Sequence, residues 1–134
     1  MVSLVPVNKR RSSSIALFYA GKSLAKQVAE WGRLRPNVDI QLVSSTLSTT
    51  LRVLTPEAAA IVIDATEHPG AAMQTLENVL AVMQSVETEL KLGVYTEKMY
   101  EGLELFVRRR GILFLLGPMD PAEWDAFFEG VVTE

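Results

Sequence analysis

The sequence predicts an α/β domain: a doubly wound, five-stranded parallel sheet. Three observations carry that expectation. Short apolar runs alternate with amphipathic segments of helical length. Helix-length crossovers between consecutive runs demand parallel strands covered on both faces. The second run alternates most clearly and suits a sheet edge, which gives the order 2-1-3-4-5.

Residues 15–20 are a continuous apolar run too short for a helix, read as a strand buried on both faces. Gly21 follows, and then a helix over 22–34 in which Leu24, Val28 and Trp31 recur at i, i+4 and i+7 before Pro36. Val38, Ile40 and Leu42 alternate with Asp39 and Gln41 in the second strand. Serines at 44, 45 and 48 are candidate N-caps for a short helix carrying Leu47, Leu51 and Leu54 and stopped by Pro56. The third strand, 59–63, ends at Asp64 and leads into a turn with His68-Pro69-Gly70. A long helix over 71–87 carries Met73, Leu76, Leu80 and Met83, its stripe widened by Val79, Val82 and Val86. The fourth strand is 90–95. Met99, Leu103 and Phe106 then line a fourth helix that closes on Arg108-Arg109-Arg110 and Gly111, as the helix dipole and a left-handed cap favour. After a fifth strand at 112–116, Asp120-Pro121-Ala122-Glu123 forms a capping box for a last helix with Trp124, Phe127, Phe128 and Val131. Residues 1–13 read as a flexible arm, and 14–134 as the domain.

Composition narrows the function classes. The 134 residues suit one domain, and 49% apolar with 22% charged residues excludes intrinsic disorder. Thirteen Lys and Arg against 16 Asp and Glu leave a net charge of −3, unlike the basic balance of a nucleic-acid binder. With no cysteine there is no disulfide, thiolate nucleophile or Cys metal site, which fits a reducing compartment. The longest apolar run falls far short of the roughly 20 residues of a membrane helix. The expectation is a cytoplasmic domain touching neither membrane nor nucleic acid directly.

Any ligand of such a sheet sits beyond the carboxyl ends of the strands, near the switch between strands one and three. The residues at that mouth are Tyr19, Ala20, Asp64, Thr96 and Gly117. Ala20-Gly21-Lys22-Ser23 matches the end of a phosphate-binding loop, but the glycine needed five residues before Gly21 is Ala16, inside the strand. What survives is a helix N-terminus where an anion could sit. His68, the single histidine, lies in a turn with no nucleophile-elbow serine to serve. A flavodoxin-like (βα)5 layout with Asp64 and Pro69-Gly70 after strand three, Tyr95-Thr96 ending strand four, and Phe114 followed by Gly117-Pro118 and Asp120-Pro121 remains to be explained.

Over nearly all of 14–132 this pattern resembles the receiver domain of bacterial two-component response regulators. The resemblance implies that Asp64 stands at the phosphoacceptor position, Thr96 at the Ser/Thr position and Phe114 at the switch-like aromatic. It also places the family's strand-one acidic pair on Tyr19 and Ala20 and its lysine on Gly117. Magnesium wants oxygen ligands and phosphoryl transfer wants charge neutralisation, so these replacements predict a degenerate, pseudo-receiver form. The site is then vestigial, with no metal, cofactor or enzymatic activity, and the output is contact with a protein partner or a homodimer. Family receivers often dimerise through the fourth helix, fifth strand and fifth helix, so the resemblance points to Tyr100, Val107, Phe114, Trp124 and Phe128. Two alternatives stand beside it: a receiver with an altered site that accepts phosphate on Asp64, and a small nucleotide- or flavin-binding α/β domain.

Overall fold

A computed structural model of the chain describes residues 14–36, 38–43, 59–86 and 91–128. Five strands, β1 (Ser14–Tyr19), β2 (Val38–Val43), β3 (Ala60–Asp64), β4 (Lys91–Thr96) and β5 (Leu113–Leu116), form one parallel sheet in the order β2-β1-β3-β4-β5. The register aligns Ala16 with Ile40 on one side and with Ala60 on the other, Asp64 with Tyr95, and Thr96 with Leu116. Among the described residues the helices are α1 (Lys22–Arg33), α2 (Pro69–Val86), α3 (Leu103–Arg109) and α4 (Pro121–Phe128). The short helix expected around Leu47–Leu54 and the arm at 1–13 lie outside the described residues, as does Val131.

Two apolar layers cover the sheet. Ile61 and Ile63 point to one layer, with Leu76 and Val79 of α2 and Leu103 and Val107 of α3. Ala60 and Val62 point to the other, with Leu24, Val28 and Trp31 of α1 and Trp124, Phe127 and Phe128 of α4. A strand covered on both faces has no wet side to alternate toward, which explains the unbroken apolar run of β3. In the second layer Trp31 stacks on Phe128 with centroids 4.7 Å apart, while its indole N–H donates to Asp125 at 2.8 Å and ties α1 to α4. Gly93 keeps β4 close under that layer, because a Cβ there would lie 3.0 Å from Leu115 and Phe127.

The helix ends follow their local chemistry. Asp120 and Glu123 exchange hydrogen bonds of 2.9 Å with each other's backbone N–H, a reciprocal capping box ahead of Pro121. At the end of α3, Gly111 has φ +72°, and its N–H and that of Ile112 bond back to Arg108 and Val107 at 3.0 and 3.3 Å. That is the Schellman arrangement, which satisfies carbonyls the helix itself leaves open.

Several expectations need correction. The long helix begins at Pro69, not at 71, because proline fits the first helical position and the His68 carbonyl accepts from Ala72 N. Met99 lies outside α3 and is 61% exposed, so it is no part of a core stripe. Val107, Trp124 and Phe128 are fully buried; they are core residues of the two layers and cannot line a surface of the folded chain. Tyr100 and Phe114 are half-buried. Met73, Leu80 and Met83 pack against the first layer, which accounts for the breadth of the α2 stripe. Among the described residues no helix is long and apolar enough to cross a membrane.

Candidate functional site at the carboxyl ends of the strands

The strand ends at the switch between β1 and β3 bring Tyr19, Ala20 and Asp64 side by side, with Thr96 and Gly117 beyond the ends of β4 and β5. Asp64 accepts a hydrogen bond at each of its two carboxylate oxygens. Its Oδ2 accepts the Gly21 N–H at 2.8 Å, and its Oδ1 accepts the Thr66 N–H at 2.9 Å. The first bond makes Asp64 a cap supplied from β3 to the start of α1, where Gly21 has no side chain to cap with. A carboxylate is what the positive end of a helix favours, so the anion foreseen there is one of the protein's own. Any Cβ at residue 21 would sit 3.2 Å from that oxygen, which a glycine avoids.

Thr96 is buried and spends its hydroxyl locally, donating to the Lys98 carbonyl at 2.7 Å and accepting the Lys98 N–H at 3.1 Å. Phe114 packs on the first core layer with the Arg108 guanidinium 5.9 Å above its ring. Gly117 donates its N–H to the Thr96 carbonyl at 2.9 Å and precedes a cis peptide to Pro118. His68 is exposed, and neighbouring Glu67 pairs with Lys98 at 3.7 Å.

Four residues outside the predicted set, Tyr95, Glu97, Ser23 and Gln27, complete the mouth. Tyr95 is buried, and its hydroxyl accepts from Gln27 Nε2 at 2.7 Å while donating to Glu97. Glu97 Oε2 also accepts from the Ser23 hydroxyl and from Gln27 Nε2 at 3.0 Å. Gln27 Oε1 in turn accepts the Met119 N–H at 3.0 Å, and the Glu97 N–H donates to Thr66 Oγ1 at 3.1 Å. A chain of bonds therefore runs from Asp64 through Thr66, Glu97, Tyr95 and Gln27 to the loop before α4. Burial, then the Glu97 bond, pushes the Tyr95 hydroxyl above its ordinary pKa. The Ser23 hydroxyl, then that of Tyr95, holds the Glu97 carboxyl below the usual range. The one legible sign was the i, i+4 pair Ser23 and Gln27 at the start of α1.

A Cβ placed on Gly117 would overlap the Tyr95 hydroxyl and ring atoms, so the space for a side chain at 117 is already filled. A magnesium ion with a phosphoryl group needs oxygen ligands and a cation at this mouth. Asp64 brings one carboxylate already bonded through both oxygens, Ala20 brings no donor, and Gly117 brings no charge. The residues present do not fit that ion. Among the described residues no three His, Asp or Glu gather closely enough to hold a metal.

No family model and no curated protein matches the sequence. Solved structures do match. A two-component response regulator from Legionella pneumophila superposes with a TM-score of 0.70 at 14% identity, over 91% of this chain and 99% of that one. The fold is that of a receiver domain. The receiver domain of the histidine kinase CKI1 from Arabidopsis thaliana, complexed with Mg2+ and BeF3−, gives 0.59 at 13% identity, covering 92% of this chain and 91% of the other. The pilus assembly protein CpaE from Caulobacter crescentus gives 0.64 at 14% identity over 87% and 90%. The receiver fold thus recurs in proteins named for two-component signalling and for pilus assembly alike.

Proposed function

We propose that this chain is a degenerate receiver-like domain of the two-component type, which acts by contact with a protein partner and without the usual Mg2+-dependent phosphorylation. The observation that carries the reading is the occupation of the mouth by Tyr95 against Gly117, with Asp64 committed to two backbone N–H groups. A phosphoryl group entering there would have to displace the α1 cap and would meet no cation at position 117. The domain on this reading is not an enzyme, takes no cofactor and works in the cytoplasm as part of a signalling apparatus. The likeness to CpaE makes a pilus-assembly apparatus one setting for such a contact module.

Titration of the 15N-labelled chain with beryllofluoride and Mg2+ tests the reading. The expected result is no shift at Asp64, Thr96 or Phe114 at millimolar concentrations. Saturable shifts at those three would establish the alternative, phosphate acceptance on Asp64. A nucleotide or flavin that raised the melting temperature would establish the ligand-binding alternative; the Gly21 N–H that could have met a phosphate is held by Asp64.

A further inference from the structure

We infer that the groove between the first turn of α2 and the start of α3 is a docking site for an arginine side chain carried by a protein partner. This rests on the reading of the domain as a contact module and names the chemistry of what it contacts. Three times in this molecule a guanidinium lies over an aromatic ring and pairs with a carboxylate. The Arg35 Cζ stands 5.9 Å from the centroid of the Trp31 ring, and its Nε donates to Asp125 at 2.9 Å. The Arg108 Cζ stands 5.9 Å from the Phe114 centroid, and its Nε donates to Glu104 at 2.7 Å. The Arg110 Cζ lies 3.6 Å from the Phe106 centroid, and its guanidinium donates to Glu77 at 2.7 Å. A guanidinium suits such a pair, because it stacks on the ring while its fork of N–H donors reaches the carboxylate.

The groove repeats two parts of that arrangement and lacks the third. Its volume is about 360 Å³, at the small end of ligand pockets (about 300–1,000 Å³). Pro69 and Met73 of α2 form one wall and Tyr100 and Phe106 the other, with exposed Glu101 beside them. Leu103 also lines it, whereas Leu105, two positions on, is 55% exposed and stands outside it; β5 takes no part. The Tyr100 hydroxyl donates to the Thr66 carbonyl, which holds the ring in place. Among the described residues no cation lies over the Tyr100 ring, and Glu101 makes no ion pair or hydrogen bond. The neighbouring cations are committed: Lys98 to Glu67, Arg108 to Glu104 and Arg110 to Glu77. Arg109 lies at the opposite end of α3. An incoming arginine supplies the missing part. Its aliphatic stem covers Pro69 and Met73, and its head stacks on Tyr100 and pairs with Glu101.

Titration of the 15N-labelled full chain with Nα-acetyl-arginine amide tests this. The expected result is saturable shifts at Tyr100, Glu101, Gly102 and Phe106 with a dissociation constant of about 1–10 mM, which one cation–π contact and one ion pair supply. The citrulline analogue, close in shape but uncharged, should give no saturable shift, and the lysine analogue should bind about threefold or more weakly. Glu101→Gln should weaken arginine about threefold to tenfold, and Glu101→Lys, which brings a cation of its own, should abolish the shifts. Residue 101 is exposed, and unchanged circular dichroism and melting will show that both variants fold. No shift up to about 50 mM, equal shifts with citrulline or lysine, or binding indifferent to Glu101→Gln overturns the inference. So do shifts at the same residues on concentrating the chain alone, which would assign the groove to a second copy. The two readings separate cleanly: an Asp64 silent to beryllofluoride with no arginine binding removes this surface alone. An Asp64 that answers beryllofluoride while arginine still binds through Glu101 removes only the contact-without-phosphate reading.

Discussion

The Tyr95 ring and hydroxyl occupy the volume that a side chain at residue 117 would enter. This packing couples the end of β4 to the turn after β5, and through Gln27 to α1. It turns one substitution relative to the receiver pattern into a pair: a glycine at 117 and a large hydroxylated aromatic at 95.

That coupling predicts a mutational cycle. Gly117→Ala should destabilise the fold by about 1–3 kcal/mol, the cost of overpacking a filled interior. In a Tyr95→Leu background, which frees the volume, the same change should cost little. Urea denaturation of the four proteins measures the interaction energy, and additive effects would contradict the packing described.

Asp64 is a structural acceptor in this chain. Asp64→Ala removes the cap of α1 and the bond to Thr66, for an expected loss of about 1–3 kcal/mol. Asp64→Asn keeps one acceptor oxygen and should lose less. Equal stability of the alanine variant and the parent in equilibrium unfolding would deny Asp64 that role.

Stability should fall on acidification through two carboxylates. Glu97 is depressed by the Ser23 hydroxyl first and that of Tyr95 next; Asp125 is depressed by the Trp31 indole N–H first and Arg35 next. A carboxyl whose folded pKa lies below its unfolded value stabilises fully above the unfolded value, about 4 for these side chains, and loses that contribution as pH falls through the folded one. Urea midpoints should therefore decline below about pH 4.5, with a shallower decline in Glu97→Gln.

At the alkaline end the sign reverses. The raised Tyr95 hydroxyl contributes stability that is complete below the unfolded tyrosine value of about 10 and is lost as pH climbs toward the folded one. Tyr95 should ionise only as the chain unfolds. Tyrosinate absorbance should show that late, cooperative component, and Tyr95→Phe should lack it.

The elements of the fold were legible because each is a local matter. Continuous apolar runs in β1 and β3, the i, i+4, i+7 stripe of α1, the Asp120 box and the Gly111 stop all express preferences of a few neighbouring residues. Their bounds shifted by a residue or two where proline at 69 opened α2 earlier than its first apolar position suggested. The positions of Asp64, Thr96 and Gly117 at one mouth followed from parallel winding alone. Exposure was not legible in the same way. The resemblance points to Val107, Trp124 and Phe128 as interface residues, but the apolar layers on the two faces of the sheet bury all three. Nor could spacing show that Tyr95 leans over residue 117, since those positions come from different strands and meet only through the β4–β5 register. Local pattern determined which segments are strands and helices and which residues reach the mouth. Only three-dimensional packing decided what fills that mouth and which leucines stay outside, because steric exclusion and burial depend on neighbours distant in the chain.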